Sequence, residues 1–380
     1  MTTAPPTTNL AARQSLAHGP LGTALLDIEC AHLGLADWRT VHRKLAVTGP
    51  LIDGDDASLF LGAPAMAYVL HMASAASSRY AGALRTLDSV VSAHTRRRLA
   101  AAHARIDQGQ YTSFAEYDLF RGLTGIGALL LRRQPDGPEL RRVLEYLVRL
   151  TEPVVSPDGR SRPGWWVGHS PASNQAATAS GHANAGLAHG ITGPLALLAL
   201  AMRQGITVDG HEQAMTRILR WLDSIRQSDQ HGTHWPRWVS TTGPANTHAA
   251  APSWCYGTPG IVRAQQLAAI ALGDDDRKRT TERALLYCLA DSRQLDQLSS
   301  RGLCHGVGGL IRTLQRVAED AETPLPFQKW LQEAHPRFLS VPPPKDQDFL
   351  EGAAGAVLAF RSAEPGAASA TDWDACLLLT

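Results

Sequence analysis

The sequence predicts an all-α fold on three observations. Apolar residues recur at three-to-four spacing through six separate segments, no sustained alternation of polar and β-branched residues occurs, and one short glycine motif opens apolar run after apolar run. With 380 residues, 44% of them hydrophobic and 19% charged, the chain can bury a large core and is not globally disordered.

Taken in order, residues 1–17 are rich in Thr, Pro and Ala and read as a flexible tail, with one domain expected over 18–380. Helical periodicity runs through 65–75, 123–132, 140–150, 195–203, 215–226 and 264–272. Two long stretches rich in Gly, Pro, Ser and Thr, 153–185 and 228–253, lie between helices, and a shorter one holds Pro342, Pro343 and Pro344. Loops of this length in a compact domain are often functional. None separates halves of different composition.

The organising feature is a glycine followed three places on by a second small residue: Gly62/Ala65, Gly122/Gly125, Gly190/Gly193, Gly257/Gly260, Gly306/Gly309 and Gly352/Gly355. Successive first glycines lie 60, 68, 67, 49 and 46 residues apart, room for two helices each. Glycines at helix starts let the backbone turn sharply and let neighbouring helix ends crowd together. Helical hairpins that cannot bury their faces alone must stack, either as an open solenoid or as a closed ring. The run from Pro194 to Met202 is too apolar for an outer layer, which favours an inner ring of helices wrapped by an outer one.

Several function classes are excluded. The formal charge is +1 and no block of five like charges occurs, which argues against nucleic acid or an anionic membrane surface as the main partner. Arg96, Arg97 and Arg98 read as a solvated helix face. No apolar run is long enough for a transmembrane segment, and the N-terminus lacks the pattern of a signal peptide. Five widely spread cysteines do not make a disulfide framework. A cytoplasmic protein with reduced thiols is expected, and a cysteine with a role is then a metal ligand or a nucleophile.

The chemistry-bearing residues gather at the helix starts. Cys255 and Cys304 each stand two places before a motif glycine, and His305 and His189 stand one place before. Superposable repeats would bring them together, and two thiolates with one imidazole are natural Zn²⁺ ligands that leave a fourth tetrahedral position open. Cys30, Cys288 and Cys376 have no such register and read as packing residues, and His169, His182, His231, His234 and His248 lie in loops without an expected ligand role.

Around these residues the strings Gly-Leu-Ala-His189-Gly, Trp-Cys255-Tyr-Gly-Thr-Pro-Gly and Leu-Cys304-His305-Gly, with the tail from Trp373 and Asp374, resemble the signatures of the lanthionine synthetase C-like cyclases. The resemblance implies an α/α toroid of seven inner and seven outer helices, one zinc held by Cys255, Cys304 and His305, and catalytic roles for His189, Asp118 and Tyr256. It also implies an arginine at position 251, where this chain has Ala251; Arg237 then either reaches the same space from the preceding loop or is a surface residue.

The implied reaction is intramolecular Michael addition. A cysteine thiol of a dehydrated precursor peptide adds to dehydroalanine or dehydrobutyrine and closes a (methyl)lanthionine ring. A free thiol of pKa ~8.5 is only about 3% ionised at pH 7, so full deprotonation on zinc gains at most ~30-fold. Holding thiolate and alkene together supplies up to ~7–11 kcal/mol, the larger contribution. His189 is the expected proton donor to the enolate carbon, Asp118 its orienting partner, and Tyr256 either contacts the enolate or packs beside the metal.

Because no kinase-like or dehydratase segment is apparent, a stand-alone cyclase is expected, with the dehydratase and exporter of the same pathway as possible partners and a peripheral membrane location through such a complex. The rival readings are a relative that adds or binds glutathione, a non-catalytic peptide-binding toroid stapled by zinc, with His182 or His169 as fourth ligand, and a toroidal carbohydrate enzyme. The last needs paired carboxylates at the barrel mouth, and the helix-start motifs supply only Asp118 and Glu351, which argues against it.

Overall fold

Seven helices start at a glycine-bearing turn: Gly19–His32, Ala63–Ala73, Leu123–Arg133, Thr192–Arg203, Thr258–Leu272, Val307–Asp320 and Ala353–Ser362. Each packs against the next and the last packs against the first, so the ring is closed rather than an open solenoid. The structure is a computed structural model that describes residues 10–74, 78–155, 159–169, 181–241, 243–244, 248–364 and 369–380. Six of the seven starts are the glycine motifs read from the sequence. The seventh, Gly19-Pro20-Leu21-Gly22, has the same spacing but lies against the segment assigned to a tail.

The glycines are there because neighbouring backbone occupies the space of a side chain. A Cβ on Gly309 would lie 1.8 Å from the Leu303 carbonyl oxygen, one on Gly260 2.0 Å from that of Trp254, and one on Gly22 2.1 Å from that of Leu16. In all three the obstructing carbonyl is six residues back. The turns are also tied to one another around the ring by backbone hydrogen bonds: Leu119 N to Ala188 O, Leu187 N to Cys255 O, Cys255 N to Cys304 O, Leu303 N to Leu350 O, Leu350 N to Ala17 O, and Leu16 N to Phe60 O. Between the second and third turns the stacked rings of Phe60 and Phe120 bridge the gap at 4.2 Å.

Inner helices are buried almost all round, as in Thr192–Arg203, where every residue from Thr192 to Ala201 is buried. Pro residues in the first turns of four of them cost nothing, since those N–H groups have no helical partner. Outer helices are amphipathic: Pro138–Leu150 buries Leu140, Val143, Leu144, Leu147 and Leu150 and presents Arg141, Arg142 and Glu145 to solvent. Six outer helices, Trp38–Ala46, Ala81–Asp107, Pro138–Leu150, His211–Ile225, Asp275–Ala290 and Leu325–Ser340, each pack on the inner helix that precedes them. The molecule is thus a double-layered helical toroid. Where the resemblance implies a seventh outer helix, the described chain after Ala353–Ser362 instead turns inward.

That final segment, with a 3₁₀ turn over Trp373–Leu377, fills the middle of the ring. Residues from three different inner helices hold it. Tyr68 donates to the Trp373 carbonyl (2.9 Å), Arg263 donates twice to the Leu379 carbonyl (2.9 and 2.7 Å), and Arg312 and Arg316 clamp Asp374 at 2.8 Å. Burial pushes the Asp374 carboxyl pKa up, but the two guanidinium groups outweigh it and hold it far below the ordinary range.

The other departures from the sequence reading are local. Residues 1–9 lie outside the described residues, whereas Gln14 and Leu16, assigned to the tail, are fully buried. The long loops carry antiparallel pairs of two or three residues, too short to leave an alternation signal; His182–Asn184 pairs with Trp238–Ser240 and joins the two loops to each other. Among the described residues, no helix is long and apolar enough to cross a membrane.

Candidate active site

The ring of hydrogen-bonded turns places equivalent residues side by side, and this is how Cys255 and Cys304, 49 positions apart, become neighbours: the Cys255 N–H donates to the Cys304 carbonyl at 3.4 Å. One ligand atom each from Cys255, Cys304 and His305 lies within 4.8 Å of the others. The Cys255 sulfur is 3.2 Å from His305 Nδ1. Both thiols are buried, while the imidazole faces the mouth.

The electrostatics of the cluster are those of thiols sharing protons. The Cys304 thiol and then His305 hydrogen-bond to the Cys255 sulfur and draw its pKa down to about 5 against the opposing effect of burial. Cys304, bound to that sulfur and buried, is pushed strongly up, and His305 is raised by the same Cys255 sulfur. Soft sulfur and borderline nitrogen match Zn²⁺, and no fourth His, Cys, Asp or Glu among the described residues joins the group. The residues present fit the implied metal.

Next along the ring stands His189, one place before Gly190. Its Nδ1 is 2.7 Å from Asp118 Oδ2. Asp118 is fully buried four places before Gly122, and its other oxygen accepts from the Arg121 and Gly122 backbone N–H groups at 2.6 and 2.9 Å. The carboxylate therefore cannot swing away, and it fixes His189 as the Nδ1–H tautomer with Nε2 bare. Phe120 stacks on the imidazole at 4.8 Å. The same architecture recurs where the ring closes: Asp348, four places before Gly352, meets His18 Nδ1 at 3.0 Å.

Tyr256 lies between metal cluster and histidine, its ring centroid 6.0 Å from that of His189. Burial, with the nearby Cys255 and Asp118 and against a hydrogen bond with Asn184, pushes its pKa up to about 12, so at neutral pH the phenol is a hydrogen-bond donor. The Arg237 guanidinium stands over the Tyr256 ring at 5.9 Å. It is carried there by the paired loops, since Ala185 N donates to the Arg237 carbonyl at 2.9 Å. Arg237 is thus an exposed residue at the rim of the site.

The remaining sequence candidates lie apart from the cluster. Cys288 bonds to Gln294, Cys376 lies within the central tail with its thiol on the Trp373 carbonyl, and all five cysteines are free thiols. His182 is buried, with Nδ1 on the His169 carbonyl at 3.0 Å, and neither histidine belongs to the metal group. The sequence reading treats Glu351 only as an isolated carboxylate; it lies 3.3 Å from His305 Nε2. Its signal was available, since Glu351 precedes Gly352 as His305 precedes Gly306.

Comparison with known proteins gives the family and the fold. The family model described as lanthionine synthetase C-like protein matches residues 11–378. A solved structure described as nisin cyclase superposes with a TM-score of 0.78 over 97% of this chain and 92% of its own, at 22% sequence identity, a likeness of fold. No curated protein matches this sequence.

Proposed function

Because the chain belongs to the lanthionine synthetase C-like family, we propose that it is a zinc-dependent lanthipeptide cyclase, adding cysteine thiols of a dehydrated precursor peptide to dehydroalanine or dehydrobutyrine. The observation that carries the reading is one helix mouth holding three metal-type ligand atoms within 4.8 Å of one another, beside a histidine locked by a buried aspartate. Zn²⁺ held by Cys255, Cys304 and His305 would supply Lewis acidity that deprotonates the incoming thiol and fixes its position.

The chain's own residues account for the proton. In the net reaction the S–H bond is lost, a C–S bond forms at the β-carbon, and the α-carbon gains one proton. His189 Nε2, bare while Nδ1–H is held by Asp118, is the atom that takes up the thiol proton and returns it to the α-carbon. Asp118 stabilises the imidazolium in between, with its pinned oxygens needing no reorganisation. Tyr256, protonated at neutral pH, donates towards the developing enolate oxygen. Arg237 above it supplies the positive charge that Ala251 cannot, and Phe120 keeps the imidazole plane fixed.

The partners follow from the substrate: a precursor peptide with leader and core, delivered in the cytoplasm by a dehydratase, with an exporter receiving the product. Cyclisation leaves the mass unchanged, so the assay counts thiols. A peptide with one dehydroalanine and one cysteine is incubated with the protein, then treated with N-ethylmaleimide and weighed. The protein as purified is expected to hold one zinc per chain, Cys304→Ala to release it, and His189→Ala to keep it while leaving the peptide thiol open to alkylation. Full zinc retention by Cys304→Ala removes the ligand set, and undiminished ring closure by His189→Ala removes the histidine from the mechanism.

A further inference from the structure

We propose that Glu351 is a positioning residue of the metal centre: its carboxylate receives the Nε2–H of His305 and so commits Nδ1 to the metal. The inference rests on the reading that Cys255, Cys304 and His305 hold zinc.

The geometry of the imidazole leads to it. One ring nitrogen, Nδ1, lies 3.2 Å from the Cys255 sulfur, and the other, Nε2, lies 3.3 Å from Glu351 Oε1. The ring is thus suspended between a thiol and a carboxylate. Glu351 Oε1 is buried and makes no aligned hydrogen bond, so an acceptor atom stands beside Nε2, while the same carboxylate also meets the Cys304 thiol and the His305 backbone. A metal-binding histidine needs such a partner, because the tautomer that bares Nδ1 carries its proton on Nε2.

The backbone is arranged to bring the carboxylate to that place. Leu303 N and Cys304 N both donate to the Leu350 carbonyl, at 2.6 and 3.2 Å, which fastens the peptide bearing Glu351 to the turn bearing two of the ligands. Gly302 leaves the necessary room. A Cβ there would lie 2.6 Å from Glu351 Oε2 and 2.9 Å from its Cα.

Loss of such a partner typically weakens metal binding about 10–100-fold. The test is competition for zinc between the purified protein and a chromogenic chelator, for the parent chain, Glu351→Ala and Glu351→Gln. Glu351→Ala is expected to bind zinc about 10–100-fold more weakly, and Glu351→Gln, which keeps an oxygen acceptor for Nε2–H, to recover much of that loss. Melting temperatures in excess chelator are expected to be the same for all three. In the cobalt-loaded proteins the sulfur-to-cobalt band should persist, since both thiolates remain, while the d–d bands shift. Equal zinc affinity of Glu351→Ala and parent overturns the inference, as does a loss accompanied by a lowered melting temperature in chelator and not recovered by Glu351→Gln. A parent chain that takes up no zinc refutes the metal reading instead, a different outcome.

Discussion

Asp118→Asn isolates the role of one proton. Asp118 accepts three hydrogen bonds, from Arg121 N (2.6 Å), Gly122 N (2.9 Å) and His189 Nδ1 (2.7 Å). An asparagine of nearly the same shape has one oxygen and one NH₂ group. The oxygen must face the two backbone donors, because turning the NH₂ group towards them would set donor against donor in a fully buried place. The NH₂ group then faces His189, so Nδ1 becomes an acceptor and the imidazole proton moves to Nε2, the nitrogen required to be bare.

The magnitude follows from what is lost. A positioned general base contributes ~10²–10⁴-fold, so ring closure should slow by about that factor. Two backbone bonds pass from a charged to a neutral acceptor, each weakening by about 1 kcal/mol, so stability should fall by only about 1–3 kcal/mol. Zinc content should be unchanged, because Asp118 is no part of the ligand group. The assay is single-turnover cyclisation followed by thiol alkylation and mass spectrometry. A folded, zinc-loaded Asp118→Asn that closes rings within threefold of the parent rate would refute the tautomer argument.

Three further outcomes are expected. Asp374→Ala leaves Arg312 and Arg316 without their buried counter-charge and should cost about 3–5 kcal/mol in urea unfolding, a cost below 1 kcal/mol counting against the central tail as a keystone. Because the Asp374 pKa is depressed in the fold, its stabilisation is present above the unfolded value near 3.9 and is lost as pH falls below it. Gly309→Ala must push the Leu303 carbonyl away by more than an ångström next to Cys304, so it should lower both the melting temperature and zinc occupancy; full occupancy would show that the turn relaxes freely. His182, whose pKa burial lowers to about 4, resists protonation in the fold, so stability should fall as pH drops from about 6.5 towards 4. His182→Asn, which keeps a donor for the His169 carbonyl, should flatten that part of the melting profile, and an unchanged profile would assign the acid sensitivity elsewhere.

How much was legible depends on how far each feature reaches along the chain. Helical class, the glycine register and the two Cys/His strings are properties of a few consecutive residues, so apolar spacing and the turn chemistry of glycine suffice to reveal them. Even here the first motif, Gly19/Gly22, is masked, because it borders residues whose composition resembles a tail. Buried Leu16 shows that composition misleads where packing decides.

Ring closure, the inward course of the segment from Trp373 and the meeting of Arg237 with Tyr256 were decided by the tertiary structure alone. Each joins residues from 19 to more than 300 positions apart through contacts that leave no periodic trace. The same holds for Glu351: as a letter in the chain it is one carboxylate among many. It acquires a partner because Leu303 and Cys304 hydrogen-bond to the peptide before it and because Gly302 lacks a side chain. Local chemistry thus wrote the parts of the site into the sequence, whereas their distances were set by hydrogen bonds between turns that only the closed ring makes neighbours.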